Sequence, residues 1–288
     1  MTEELAAKLR KLADKYEVAS FCDEDPSQFL RWYDPAAGRG TIADVEVASF
    51  IAAMLAFGNR KQFIPKIREI LQTSDRSLGG VSKWLCAGAY KKEFPSGEKK
   101  FYRFYSYNDM QVFFGELAEI LEKSGSLGEY FRAMGLRSIA ARRLAKNSPL
   151  DCFYPASQGR SLGSDQRSAS AGEGFPLLYE IVSSSFPKSA IVPKGRSSAN
   201  KRVHMYLRWM VRQNSPVDLG LWQWANPAEL LIPLDVHVMQ EAAKLGLIPE
   251  TASASRKTAE LLTSALNEVF PGDPCRGDFA LFGLGVDK

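Results

Sequence analysis

The stretch Asp44-Val-Glu-Val-Ala-Ser-Phe-Ile-Ala-Ala-Met-Leu-Ala-Phe57 is apolar around nearly its whole circumference when wound as a helix. A helix without a polar face must be covered on every side. The remaining chain therefore has to supply a shell of packed elements, with this segment at its centre. Asp44 and Glu46 fall in the first turn, where carboxylates oppose the positive end of the helix dipole. Gly58 marks the end, and Asn59-Arg-Lys-Gln62 opens a second helix reaching about Leu71. Pro65 falls within that helix's first turns, where a missing N–H is tolerated.

Helical periodicity also covers residues 3–17, 109–123, 126–134, 138–145, 176–185, 199–213, 236–245, 255–269 and 275–284, and no convincing alternating strand interrupts it. The expected fold is all-α. With 288 residues, 45% of them hydrophobic, the chain can bury a core as one large domain or two lobes. Residues 154–174 are rich in Ser, Gly, Arg and Gln, and read as an exposed loop or insertion. Along the chain this separates an N-terminal helical region, 1–153, from a second helical region, 175–288.

No run approaches the ~20 apolar residues of a transmembrane helix, and the N-terminus lacks a signal-peptide core. A cytoplasmic protein is expected. Cys22, Cys86, Cys152 and Cys275 are too scattered for a zinc or iron–sulfur site and are expected to be reduced and mostly buried. His204 and His237, the two histidines, cannot make a His-rich metal site, and His237 is expected to support Asp235 or the core. A net charge of +4 permits a nucleic-acid partner without demanding one.

Two segments carry the chemistry. In Leu231-Ile-Pro-Leu-Asp-Val-His-Val238, Asp235 stands where a helix begins, able to accept backbone N–H bonds, and Gly246 suits that helix's C-terminal end. In Val192-Pro-Lys-Gly-Arg-Ser-Ser-Ala-Asn-Lys-Arg-Val-His204, a basic turn holding Lys194, Arg196 and Ser198 enters a helix at Lys201. Such a turn offers N–H groups and cations to a phosphate. Lys201, His204, Arg208 and Arg212 follow at spacings of three and four, giving one cationic face opposite Val203, Leu207 and Met210. An amine and a carboxylate at neighbouring helix starts are able to perform covalent amine catalysis on an electrophilic carbon. Taken singly, the same residues are an ordinary N-cap and a solvated charge.

A lysine-bearing helix followed by Pro233-Leu-Asp-Val-His237 resembles the core of the helix-hairpin-helix DNA glycosylases, and within them the 8-oxoguanine-excising branch. The resemblance implies a two-lobed helical fold, Lys201 as the nucleophile at the sugar C1′ and Asp235 as its partner. It extends to Gly277-Asp-Phe-Ala-Leu-Phe-Gly-Leu-Gly285, where Asp278 and Phe282 share a helical face. By resemblance Asp278 reads the edge of a flipped base and Phe282 stacks on it. The partner implied is duplex DNA, bound by a monomer, with association with the nucleoid. The motifs match in family order, and the longer Lys-to-Asp spacing is that of archaeal oxoguanine glycosylases. Over its whole length the chain looks more like a family of uncharacterised bacterial proteins sharing these blocks. The hairpin departs from the family's pattern: Pro193-Lys-Gly195 is followed by Arg196-Ser-Ser-Ala-Asn200, without the second glycine. In the family this hairpin grips phosphate, often through a cation. A structural cation there is the one ion the resemblance allows, and no cofactor is needed. Lys194 ranks below Lys201 as nucleophile.

Related enzymes place gap-filling or base-touching residues after the buried helix. Here Asn59 and Gln62 offer amides and Arg60 and Lys61 offer phosphate contacts, unless they form a plain helix–helix turn. In Val217-Asp-Leu-Gly-Leu-Trp-Gln-Trp224, Trp222 or Trp224 either stacks on a base or fills a gap between helices. Tyr90 to Tyr107 interleaves basic and aromatic residues, which suits a nucleic-acid groove but better suits packing under lysine stems. Two other functions stay open: a non-catalytic nucleic-acid-binding protein on this scaffold, and an enzyme acting on RNA or nucleosides.

Overall fold

A computed structural model describes residues 1–146 and 178–286. The expected insertion at 154–174, and Cys152, lie outside the described residues. The fold is all-α. The helices are α1 (Glu3–Tyr16), α2 (Ile42–Leu55), α3 (Arg60–Leu78), α4 (Val81–Cys86), α5 (Tyr90–Glu93), α6 (Tyr107–Ser124), α7 (Leu127–Lys146), α8 (Leu178–Ser184), α9 (Lys201–Val211), α10 (Val236–Lys244), α11 (Arg256–Val269) and α12 (Gly277–Val286). A short antiparallel hairpin, β1 (Lys100–Tyr102) and β2 (Tyr105–Ser106), precedes α6.

As its composition requires, α2 is buried from Asp44 through Leu55, packed among α3, α4, α7 and α9. Its start is closed by a reciprocal cap between Thr41 and Asp44. The Asp44 carboxylate also accepts the Ser82 N–H at 2.8 Å and the Ser82 hydroxyl at 2.6 Å. Burial pushes its pKa up, and these hydrogen bonds outweigh burial and hold it below the usual range. Two residues further on, burial raises the pKa of Glu46, despite hydrogen bonds from the Trp222 indole at 2.7 Å and the Gly128 N–H at 3.1 Å.

The apolar side chains form two clusters. The larger surrounds α2 and draws on α3, α4, α6, α7, α8 and α9. The smaller joins α1 to α10, α11 and α12, with the turn before α9 touching it through Ala199. The clusters do not follow chain order: α8 and α9 contribute to the one built on the N-terminal helices, and α1 to the one built on the C-terminal helices. The α1–α12 contact is tight because α12 carries Gly283, where an added Cβ would come within 2.2 Å of the Tyr16 ring.

Two local expectations are corrected. The stretches 126–134 and 138–145 are one continuous helix, α7. Gly135 costs only about 1 kcal/mol at an interior position, too little to break a helix of otherwise good formers. The hairpin β1–β2 leaves no trace in the sequence pattern, because strands of three and two residues are too short to show alternation. Most aromatics of the 90–107 segment pack as expected, with Tyr90, Phe94, Phe101, Tyr102 and Tyr105 all buried.

Candidate functional site

Where the two clusters meet, a cleft of about 1470 Å³ opens, lined by the end of α2, the start of α3, the turn before α9, the start of α9 and the start of α10. Lys201 is the first residue of α9 and Asp235 is the N-cap of α10. Pro233 and the extended backbone at Asp235 stop the preceding segment and aim the carboxylate back at the helix it caps. One oxygen accepts the Val238 N–H at 2.8 Å, and the other meets the Lys201 Nζ at 2.7 Å. Their side chains are 38% exposed for Lys201 and 28% for Asp235, so a substrate in the cleft can reach both. Burial pushes the Asp235 carboxyl up; the Lys201 charge, its hydrogen bond and the Val238 N–H outweigh that, and the group stays below the usual carboxylate range. His237 lies in the same cleft and adds to the field that keeps Asp235 ionised.

Asn200, just before Lys201, has left-handed backbone (φ 43°), which Asn tolerates better than most residues. Its carboxamide nitrogen donates to the Gly195 carbonyl at 2.7 Å, closing the turn that delivers Lys201. The same turn is pinned to the start of α11, where the Arg256 N–H donates to the Ser197 carbonyl at 2.8 Å. The hairpin thus takes its shape from Asn200 and from α11.

The cleft also gathers Asn59, Arg60, Lys61 and Ser198. Asn59 caps α3 by accepting the Lys61 N–H at 2.9 Å, and Arg60 approaches Asp25 at 3.7 Å. Gln62 and Arg196 are exposed but lie outside the lining. Lys194 turns back on its own loop, its amine donating to the Pro187 carbonyl at 3.2 Å and to the Ser189 carbonyl. It does not line the cleft.

Several expected contacts are displaced. The cationic face of α9 does not exist: His204, Arg208 and Arg212 are 3%, 3% and 1% exposed. Burial, with Arg256 nearby, lowers the His204 pKa to about 4, so the ring is neutral near pH 7. Arg208 binds Asp218 at 3.3 Å and also Asp278, and cannot serve a DNA phosphate. Arg212 binds Asp273 at 2.7 Å, Glu17 at 2.8 Å and Asp218, tying α9 to both ends of the chain. Trp222 is 2% exposed and fills the space between α2 and α7, its indole given to Glu46, so it cannot stack on a base. Trp224 stacks on Trp222 with ring centroids 5.5 Å apart.

Asp278 and Phe282 do not line the cleft. Asp278 is held by Arg208, close enough to Lys201 and Asp235 to feel both charges; burial pushes its carboxyl up to about 6 against the pull of Arg208 and Lys201. Phe282 packs edge-on against Phe21 at 4.9 Å and Tyr16 at 5.9 Å.

Sequence reasoning missed Arg202. Its guanidinium lies 5.0 Å over the Phe57 ring and donates to the Met54 carbonyl and the Tyr105 hydroxyl, bracing the cleft wall beside Lys201. Its place next to Lys201 was the available signal. Among the described residues, no group of three or more His, Cys, Asp or Glu could hold a metal ion, and no helix is long and apolar enough to cross a membrane. Cys275 is buried, Cys22 half-buried and Cys86 exposed.

Fold and site together define an all-helical protein with an amine–carboxylate pair set into a cleft between two apolar cores. A family model described as "Protein of unknown function (DUF2400)" matches residues 25–287, and the chain belongs to that family. No curated protein and no solved structure matches it.

Proposed function

We propose that this protein is a DNA base-excision glycosylase of the lysine type, removing an oxidised purine such as 8-oxoguanine from duplex DNA. The observation that carries the reading is the 2.7 Å contact between Lys201 and Asp235, from separate helix starts, inside a cleft of about 1470 Å³. Small-ligand pockets typically span ~300–1,000 Å³, so an extruded nucleotide is within its capacity. Asp235 accepts a proton from the Lys201 ammonium, and the neutral amine attacks C1′. The C1′–N9 bond breaks, its electron pair leaving with the base, which takes up the proton that Asp235 received, so that Asp235 returns to its ionised form. The C1′-linked nitrogen then gives up its proton as the C1′–O4′ bond breaks, O4′ takes up a proton, and a Schiff base remains at C1′; loss of a C2′ proton to water expels the 3′ phosphate with the C3′–O bond's electron pair. Arg60 and Lys61 at the cleft are suited to flanking phosphates, and no step needs a cofactor.

The test is borohydride trapping on a duplex bearing 8-oxoguanine. A covalent adduct is expected with the native chain and none with Lys201→Gln; an equal yield from both would remove the mechanism. The engagement of Phe282 by Tyr16 and Phe21 favours a second reading, a non-catalytic DNA-binding protein on the same scaffold. Salt-dependent duplex binding without product from any lesion would select it.

A further inference from the structure

The hairpin β1–β2 turns in two residues, Arg103 and Phe104, with Tyr102 paired to Tyr105 across the turn. Arg103 has left-handed backbone (φ 50°), as two-residue hairpin turns demand, although it is not glycine. Phe104 is 59% exposed, the most exposed aromatic of the described large hydrophobics, in a segment whose other rings are mostly buried. Contacts with Tyr105 at 4.5 Å and Phe57 at 5.2 Å cover one side of the ring, and the rest of it faces solvent.

The tip is fixed in place. Phe104 lies 5.2 Å from Phe57, and Phe57 lines the cleft. Arg103 stacks over Phe57 at 5.7 Å, and Arg202 does so at 5.0 Å. The Tyr102 hydroxyl donates to the Phe57 carbonyl. Gly58 makes room for the Arg103 side chain, since an added Cβ there would come within 2.1 Å of a guanidinium nitrogen. Phe104 is thus joined to Lys201 by a short relay of packed groups, Phe57 and then Arg202. Around the same cleft mouth stand Asn59, Arg60 and Lys61.

An exposed apolar ring on a rigid arm, beside a cleft whose mouth carries Arg60 and Lys61, is suited to a polyanion with stacked aromatic faces. Architectural proteins drive such rings between base steps while basic residues hold the phosphates. We propose that Phe104 inserts into the base stack of bound duplex DNA, beside the nucleotide drawn into the cleft, with Arg103 holding the adjacent backbone. This rests on the glycosylase reading for its partner, but not on the lysine chemistry. Preorganisation by Phe57, Arg103 and Arg202 means the ring is already in place when DNA arrives.

The experiment uses the full chain carrying Lys201→Gln, so that the DNA stays intact, and a duplex with 8-oxoguanine next to 2-aminopurine. Binding should raise 2-aminopurine fluorescence several-fold. Adding Phe104→Ala should abolish most of that rise and weaken Kd roughly tenfold, within the range set by one lost base–aromatic stack. Phe104→Trp should restore both. Because stacking releases no counterions, the slope of log Kd against log salt should be the same with and without the ring. Thermal unfolding of each variant checks that the fold is retained. Fluorescence and affinity left unchanged by Phe104→Ala, or no duplex binding at all, would overturn the proposal. A Phe104-dependent signal from a protein whose native form yields no borohydride adduct would leave the insertion standing and remove the lysine mechanism alone.

Discussion

Arg212→Met tests the view that the two apolar cores are clamped through α9. The Arg212 side chain is 2% exposed and serves Glu17 after α1, Asp218 after α9 and Asp273 before α12. Removing one partner of a buried ion pair costs about 3–5 kcal/mol. Here Asp218 keeps Arg208, Glu17 keeps Arg276 at 2.9 Å, and Asp273 is a third exposed and can turn to water. The lower end, about 3 kcal/mol, is therefore expected. For a domain of this size each kcal/mol moves Tm by about 2–4 °C, so calorimetry at pH 7 should show a fall of roughly 6–12 °C. The pH dependence follows from Glu17. Burial pushes its pKa up, but Arg212, Ser215 and Arg276 outweigh burial and hold it below its unfolded value of 4.5. That contribution is present above pH 4.5 and is lost as pH falls through the folded pKa. Arg212→Met should shrink this acid-side loss. A fall under about 2 °C would refute the clamp.

The buried neutral ring of His204 makes stability depend on pH in a second window. With its pKa lowered from 6.5 to about 4, its share is present above pH 6.5 and is lost as pH falls toward 4, roughly 3 kcal/mol in all. His204→Gln should flatten denaturant midpoints across that window, and an unchanged slope would contradict its burial as neutral. Gly283→Ala tests the α1–α12 contact. Helix propensity alone would make it stabilising by about 1 kcal/mol, whereas the clash with Tyr16 should make it destabilising by about 1–3 kcal/mol, so the sign of the change in Tm decides.

What the sequence disclosed follows from how local each signal is. The burial of α2 was legible because its apolar residues leave no polar face, whatever surrounds them. Asp235 was legible as a cap because the cap is made within three residues, at Val238. That Lys201 would meet it rested on order and spacing that resemble a known family, and the two groups do lie in contact. Arg208 and Arg212 were misread because cations at helical spacing look alike whether solvated or paired. Their partners Glu17, Asp218, Asp273 and Asp278 come from segments up to 195 residues away. Trp222 was open between stacking and filling, and Glu46, 176 residues distant, decides for filling. The Phe104 tip was illegible because strands this short carry too little pattern, and its exposure depends on where Phe57 lies.

The central claim is that the Lys201 amine bonds to the sugar of a damaged nucleotide. The most direct measurement is peptide mass spectrometry of the borohydride-trapped protein–DNA adduct, which identifies the residue carrying the sugar remnant. A single modified peptide, with the mass increment on Lys201, is expected. An increment on Lys194, Lys61 or the N-terminal amine, with Lys201 unmodified, would contradict it.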